Sequence, residues 1–290
     1  MEFNDPKIQS ALIAAAVTIA TLLLRAITKS IWERNFYKFK LESDYKYDQR
    51  KKVREAISKY KVSLLNSAES LNHRLWNFSK NAPEAWHTLR EGESISEKYY
   101  LLSFCYRFLT FFSLCQKIDL ELIYLDSTVS TQKDLDFLKY LKLFPQIFCD
   151  TEIFKGTSYN QSLATDHFFS DDFREIVSKI SNGEKLLSYS EFKEKVEEKE
   201  FTHLITYFSG VLADQSCLRW QALNSFHFIL MAFLNDYGYD FQKTSRQKML
   251  DLAEIVPKNS LVKNSNAFIK RACLNKNQEV LNAMSALSNV

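Results

Sequence analysis

The sequence predicts a mainly α-helical protein, with one N-terminal transmembrane helix that continues into a helical cytoplasmic bundle. Three observations carry this expectation. Residues 8–24, IQSALIAAAVTIATLLL, hold no charge and are followed by a cluster of basic residues. The 290-residue chain has only five Gly and four Pro, too few turn-formers for a protein of many short strands. It has 23 Phe and 14 Tyr, large apolar groups suited to long helices around an aromatic core. The length allows one large or two small domains, and no internal repeat is visible.

A bilayer core about 30 Å thick needs roughly 17–25 apolar residues in a helix. The 17 residues of 8–24 meet the lower limit. Arg25 stands at the edge, where its stem snorkels to the interface. Ile27, Ile31 and Trp32 extend the apolar face, and Trp32 suits the headgroup level. Two other readings of this stretch are a secretory signal and a buried core helix. A secretory signal needs a basic leading region, but Glu2 and Asp5 outweigh Lys7. Small residues recur every fourth position, as Ser10, Ala14 and Thr18, Ala11 and Ala15, and Ala16 and Ala20. Such rows let helices approach closely in lipid, with Thr18 and Thr21 offering hydrogen bonds, so a homo-oligomer is expected.

Before the span there is Lys7; after it come Arg25, Lys29, Arg34, Lys38 and Lys40. Positive charge stays inside, which orients residues 25–290 to the cytoplasm from an inner membrane. Five cysteines at wide spacings form neither a metal clip nor a disulfide framework, so they read as reduced and mostly buried thiols.

The expected organisation is an anchor at 1–28, a basic juxtamembrane helix at 29–61, a helical domain at 62–256 and a weakly ordered tail at 257–290. Residues 25–61 hold twelve Lys or Arg against five acids, a net +7 in a chain of net +3. A juxtamembrane basic segment attracts anionic lipid, worth about 1 kcal/mol per residue near the surface. The aromatics Trp32, Phe36, Tyr37, Phe39, Tyr45 and Tyr47 are interleaved with this charge, a mixture that also suits single-stranded nucleic acid. Position next to the span favours lipid.

Val53, Ala56, Ile57, Tyr60, Leu64, Ala68, Leu71, Leu75 and Phe78 recur at helical spacing over 53–80, and Pro83 ends or restarts that helix. Ser94 and Glu97 have the spacing of a capping box for a helix over 96–125. Its run LLSFCYRFLTFFSL is too short for a second span and reads as a core helix. Arg107 inside it is expected to be buried and paired with a carboxylate or carbonyl. A helix over 132–144 is expected to stop at Pro145, and 145–170 is the least regular stretch. A short helix over 171–181 ends at Asn182-Gly183, and Ser188 caps another with Glu191. The run KEKVEEKE is expected to be solvated, and residues 201–236 to be helical and apolar, interrupted by His203, Arg219 and His227. Tyr237 to Tyr239 turns the chain into a last amphipathic helix over 245–255. After Pro257 the sequence is rich in Asn, Ser and Lys and reads as a tail, with a helix at most over 277–287.

LNHRLWN at 71–77, YYLLSFCY at 99–106, IYLD at 123–126 and LSYSEF at 187–192 together resemble a widespread bacterial family of uncharacterised proteins. The resemblance covers about residues 8–235 and implies one N-terminal span with a helical cytoplasmic domain. That family has an Arg, a Gln and an acidic residue around its third block, where this chain carries Ser158, Asn160 and Asp166. The layout also looks like small membrane-anchored accessory effectors of bacterial antiviral systems.

No phosphate-cradling Gly loop, zinc-protease His pair or nucleophile elbow is present, so no cofactor is implied. Asp166-His167 with Asp171-Asp172 has metal-capable side chains at no recognised spacing. No Arg is followed four to six residues later by a His, the pairing a helical ribonuclease uses. His73, Arg74, Tyr100, Ser103 and Arg107 are the candidates for a polar cluster between two helices. Two functions follow: a membrane-tethered interaction or effector module with a protein partner, or a membrane-anchored enzyme acting on nucleic acid or nucleotide. A cleft gathering His73, Arg74 and acids favours the second.

Overall fold

The computed structural model describes residues 6–183, 185–214, 216–256, 258 and 260–288. Glu2, Asp5 and Pro257, which entered the span and tail readings, lie outside the described residues. The protein is mainly helical, with ten α-helices and one two-stranded ribbon among the described residues. The helices are α1 (Pro6–Asn81), α2 (Tyr99–Glu121), α3 (Gln132–Cys149), α4 (Ser170–Ser178) and α5 (Tyr189–Lys195), then α6 (Thr202–Ser209), α7 (Leu218–Tyr237), α8 (Arg246–Ile255), α9 (Val262–Arg271) and α10 (Gln278–Ser288). The chain divides into two units after Lys52, inside the expected juxtamembrane helix rather than at its end.

The first unit is helical throughout its described part, and every residue from 6 to 48 is exposed. Its N-terminal helix is long and apolar enough to cross a membrane. The hydroxyls of Thr18 and Thr21 donate to the carbonyls of Ala14 and Val17, at 2.8 and 2.7 Å, within their own helix. Trp32 and Phe36 stack with centroids 5.2 Å apart. Lys46 with Glu42 and Lys52 with Asp48 form exposed pairs one turn apart, where solvent screens the attraction.

The second unit is built on α7, which is buried from Trp220 through Leu234. A helix apolar on every side must be covered on every side; α3 and α10 pack against it. Phe226 meets Phe112 of α2 at 5.7 Å and Phe144 and Phe148 of α3 at 5.5 and 5.1 Å. Such ring pairs add about 0.5–1.5 kcal/mol each beyond area burial. Gln221 and His227 of α7 reach partners outside it: Gln221 Oε1 accepts from the Ser260 N–H at 2.9 Å, and His227 Nε2 donates to Asn72 Oδ1 at 2.8 Å. Trp220 Nε1, Asn224 Nδ2 and His227 Nδ1 are buried without a partner among the described residues. The expected stripe on the C-terminal part of α1 is buried, with Tyr60 at its margin.

Several boundaries differ from expectation. Pro145 does not stop α3, which runs on to Cys149 because Ile147 and Phe148 are fully buried and their packing outweighs one missing N–H. Ser94 caps a single 3-10 turn over Ile95–Glu97, and its hydroxyl donates to Glu197 instead of forming a box with Glu97. α2 therefore starts at Tyr99 and ends at Glu121. Ser188 and Glu191 do form the capping box. Gly183, at φ +61°, sits between Ser181–Asn182 and Lys185–Leu186, paired antiparallel, rather than capping α4. Residues 201–236 are two helices, broken where Gly210 lies so close to Arg219 that a Cβ would stand 2.2 Å from Nη1. Within KEKVEEKE, Val196 is buried among otherwise exposed neighbours.

The tail reading is corrected. α9 and α10 belong to the core: Leu261, Phe268, Ile269, Leu274, Val280, Ala283, Met284, Ala286 and Leu287 are all buried. Polar residues of this stretch serve the fold: Ser265 is buried and donates to Ser225 Oγ at 3.0 Å. Asn264 Nδ2 donates to the Ile153 carbonyl at 2.7 Å, and Asn277 Nδ2 to Asp236 at 2.7 Å. All five cysteines are free; Cys105 and Cys115 are buried, Cys149 and Cys217 half-buried, and Cys273 exposed.

Candidate functional site

Ser70, Arg74 and Asn77 fall on one face of α1 by their three- and four-residue spacing, and Tyr100, Ser103 and Arg107 on one face of α2. Between the two helices the chain passes through a 3-10 turn containing Pro83 and reverses at Ala85, whose φ is +53°. That reversal delivers Trp86 to the same place. The result is a cleft of about 370 Å³ lined by His73, Arg74, Asn77, Trp86, Tyr100 and Arg107.

Arg74 is 7% exposed, although it carries a full charge. Its Nη2 donates to Ser103 Oγ at 2.8 Å, and its guanidinium lies over the Tyr100 ring at 4.3 Å. Its Nε is buried with no hydrogen-bond partner. Arg107 is half-buried, and its Nη1 donates to the Ser70 carbonyl at 2.9 Å. Burial first, and then the neighbouring Arg74 cation, lower the pKa of Arg107. Burial raises that of the Tyr100 phenol. Trp86 stands edge-on to Tyr100 at 5.7 Å and is about half exposed.

The structure thus brings all five candidate residues of the polar cluster together. The expectation for Arg107 is met as to partner type, a carbonyl, but the side chain is only half-buried. His73 is exposed at the rim. Ser70, Asn77 and Trp86 were missed. The spacing of Ser70 and Asn77 from Arg74 was a usable signal, but nothing local announces Trp86. Two guanidiniums side by side with no carboxylate lining the cleft lower the energy of an entering anion.

The metal-capable residues serve other roles. Asp166 Oδ1 accepts from Arg219 Nε at 2.6 Å. Tyr159 OH accepts from the Asp166 N–H at 3.0 Å and shares a hydrogen bond with His167 Nδ1 at 2.5 Å. Asp171 and Asp172 lie exposed on the first turn of α4, where carboxylates favour the helix N-terminus. No group of three or more potential ligands gathers among the described residues. The membrane-surface candidates Arg25, Lys29, Arg34, Lys38 and Lys40 are all exposed, and Lys29 stands 3.9 Å from Glu33. A second cavity of about 560 Å³ lies among α2, α3 and α4, with Lys142 and Arg271 at its edge. Those cations are paired, Lys142 with Asp119, and Arg271 with Asp150 at 2.5 Å.

No family model, curated protein or solved structure matches the chain.

Proposed function

We propose that this is a single-pass membrane protein whose helical domain lies on the cytoplasmic side and works by binding rather than by catalysis. The observation that carries the reading is the uncharged run 8–24, exposed in the structure and followed by Arg25, Lys29, Arg34, Lys38 and Lys40. An exposed apolar surface of that length is costly in water and is satisfied by lipid. The basic flank sets orientation and holds anionic headgroups. The exposed rows of small residues in the same helix support self-association in the bilayer. The cleft between α1 and α2 gathers His73 and Arg74 without the acids that the enzyme reading calls for, which supports binding.

Cys273 gives a direct test of orientation, because it is the exposed thiol among the five. In cells stripped of their outer layers, a membrane-impermeant maleimide is expected to leave it unlabelled until the inner membrane is broken. Labelling of intact cells at Cys273, absent in Cys273→Ser, contradicts a cytoplasmic domain.

A further inference from the structure

We propose that the cleft between α1 and α2 binds a phosphate ester that carries a planar ring, a ligand of mononucleotide size. Arg74 and Arg107 face the same 370 Å³ space, and neither has an ion pair among the described residues. A purely structural network would neutralise them, as Asp119 and Asp150 neutralise Lys142 and Arg271 at the 560 Å³ cavity. Here the hydrogen bonds go to neutral groups, Ser103 Oγ and the Ser70 carbonyl, which position the guanidiniums without discharging them. Arg74 is already desolvated, and its Nε has no partner. The cost of burying and juxtaposing two cations is thus built into the cleft, and a phosphate dianion relieves it. Guanidinium forks match phosphate oxygens in a way that point charges do not.

The ring half of the ligand follows from the walls. One face of Tyr100 is occupied by Arg74, while Trp86 is about half exposed beside it. An exposed indole at the rim of a doubly cationic cleft is a stacking platform for a base. Asn77, exposed on the same lining, offers a donor and an acceptor to its edge. The volume falls within the range of small-molecule sites, roughly 300–1,000 Å³. The inference does not depend on the bilayer, since all six residues belong to the second unit.

The test is thermal unfolding of the full chain in detergent. The probes are inorganic phosphate, ribose 5-phosphate, inositol 1-phosphate, adenosine and the four nucleoside monophosphates. At saturation a nucleoside monophosphate is expected to raise Tm by about 5 °C or more. Ribose 5-phosphate should raise it less, and adenosine not at all. Trp86→Ala should cut the nucleotide shift to the ribose phosphate level. Arg107→Gln should weaken every phosphate ester about ten- to hundredfold, with Arg107→Lys intermediate. Each variant's own Tm without ligand is read in the same experiment, so a folding defect is visible. No shift from any phosphate ester, or a shift unchanged in Arg107→Gln, overturns the site. Inositol 1-phosphate matching the nucleotides, as expected of a lipid headgroup site, overturns the planar-ring assignment.

Discussion

His227 is the residue at which burial and pH meet. It lies fully buried in α7, and burial pushes its pKa down to about 3. Neutral, it donates to Asn72. An unfolded histidine titrates near 6.5, so below that pH the unfolded chain binds a proton that the folded chain refuses. Stability is therefore full above about 6.5 and falls as pH drops toward 3, by about 2 kcal/mol at pH 5 from this residue alone. Burial lowers His87 and His167 in the same direction. Urea unfolding at pH 7 and pH 5 is expected to show the loss, and His227→Gln, which keeps a donor for Asn72, is expected to shrink it. An equal pH dependence in both proteins contradicts the assignment.

Arg107 makes a second prediction at this scale. Its partner is a carbonyl and it is half-buried, so Arg107→Leu strands no carboxylate and should cost about 1 kcal/mol rather than the 3–5 kcal/mol of a broken buried pair. Denaturant midpoints measure this, and a loss above about 3 kcal/mol contradicts the geometry. The spacing of Arg74, Tyr100, Ser103 and Arg107 made the polar cluster legible, since each helix repeats itself every three to four residues. Trp86 was not legible, because it reaches the cleft through a left-handed Ala85 and a loop path set by tertiary packing.

At the scale of elements, some of the local sequence signals survived intact. Ser188 with Glu191 is a complete box, and the stripe from Val53 to Phe78 is a complete face. Others failed where a tertiary contact outweighed them: Ser94 and Glu97 have the same spacing as Ser188 and Glu191 yet form no box. Ser94 spends its hydroxyl on Glu197, and Pro145 sits inside α3. Pro145 offers no N–H to the Leu141 carbonyl, a defect that Ile147 and Phe148 tolerate by burial. Pro145→Ala should restore that bond and stabilise the domain by about 1–3 kcal/mol, less what proline gains by restricting the unfolded chain. A lower denaturant midpoint for Pro145→Ala would mean that α3 needs the proline ring itself. Composition misled in the C-terminal region for a related reason. Asn264 and Asn277 looked like tail residues, but each holds a hydrogen bond that locks α9 or α10 to the rest of the fold.

At the scale of the whole molecule, the two units obey opposite rules. From Val53 onward the large apolar side chains are mostly buried, around α7 and the Phe108, Phe112, Phe148 and Phe226 cluster. From residue 6 to 48 every side chain is exposed, including Leu12, Ile13, Val17, Ile19, Leu22 and Leu23. An exposed apolar run of that length is the surface that the proposed bilayer anchor would cover. Carbonate extraction of membranes from cells expressing the full chain and a chain lacking residues 1–28 tests the bilayer reading most directly. The full chain is expected to stay in the pellet and the shortened chain to move to the supernatant in folded form. A full chain that leaves the membrane at high pH contradicts an anchor at residues 8–24.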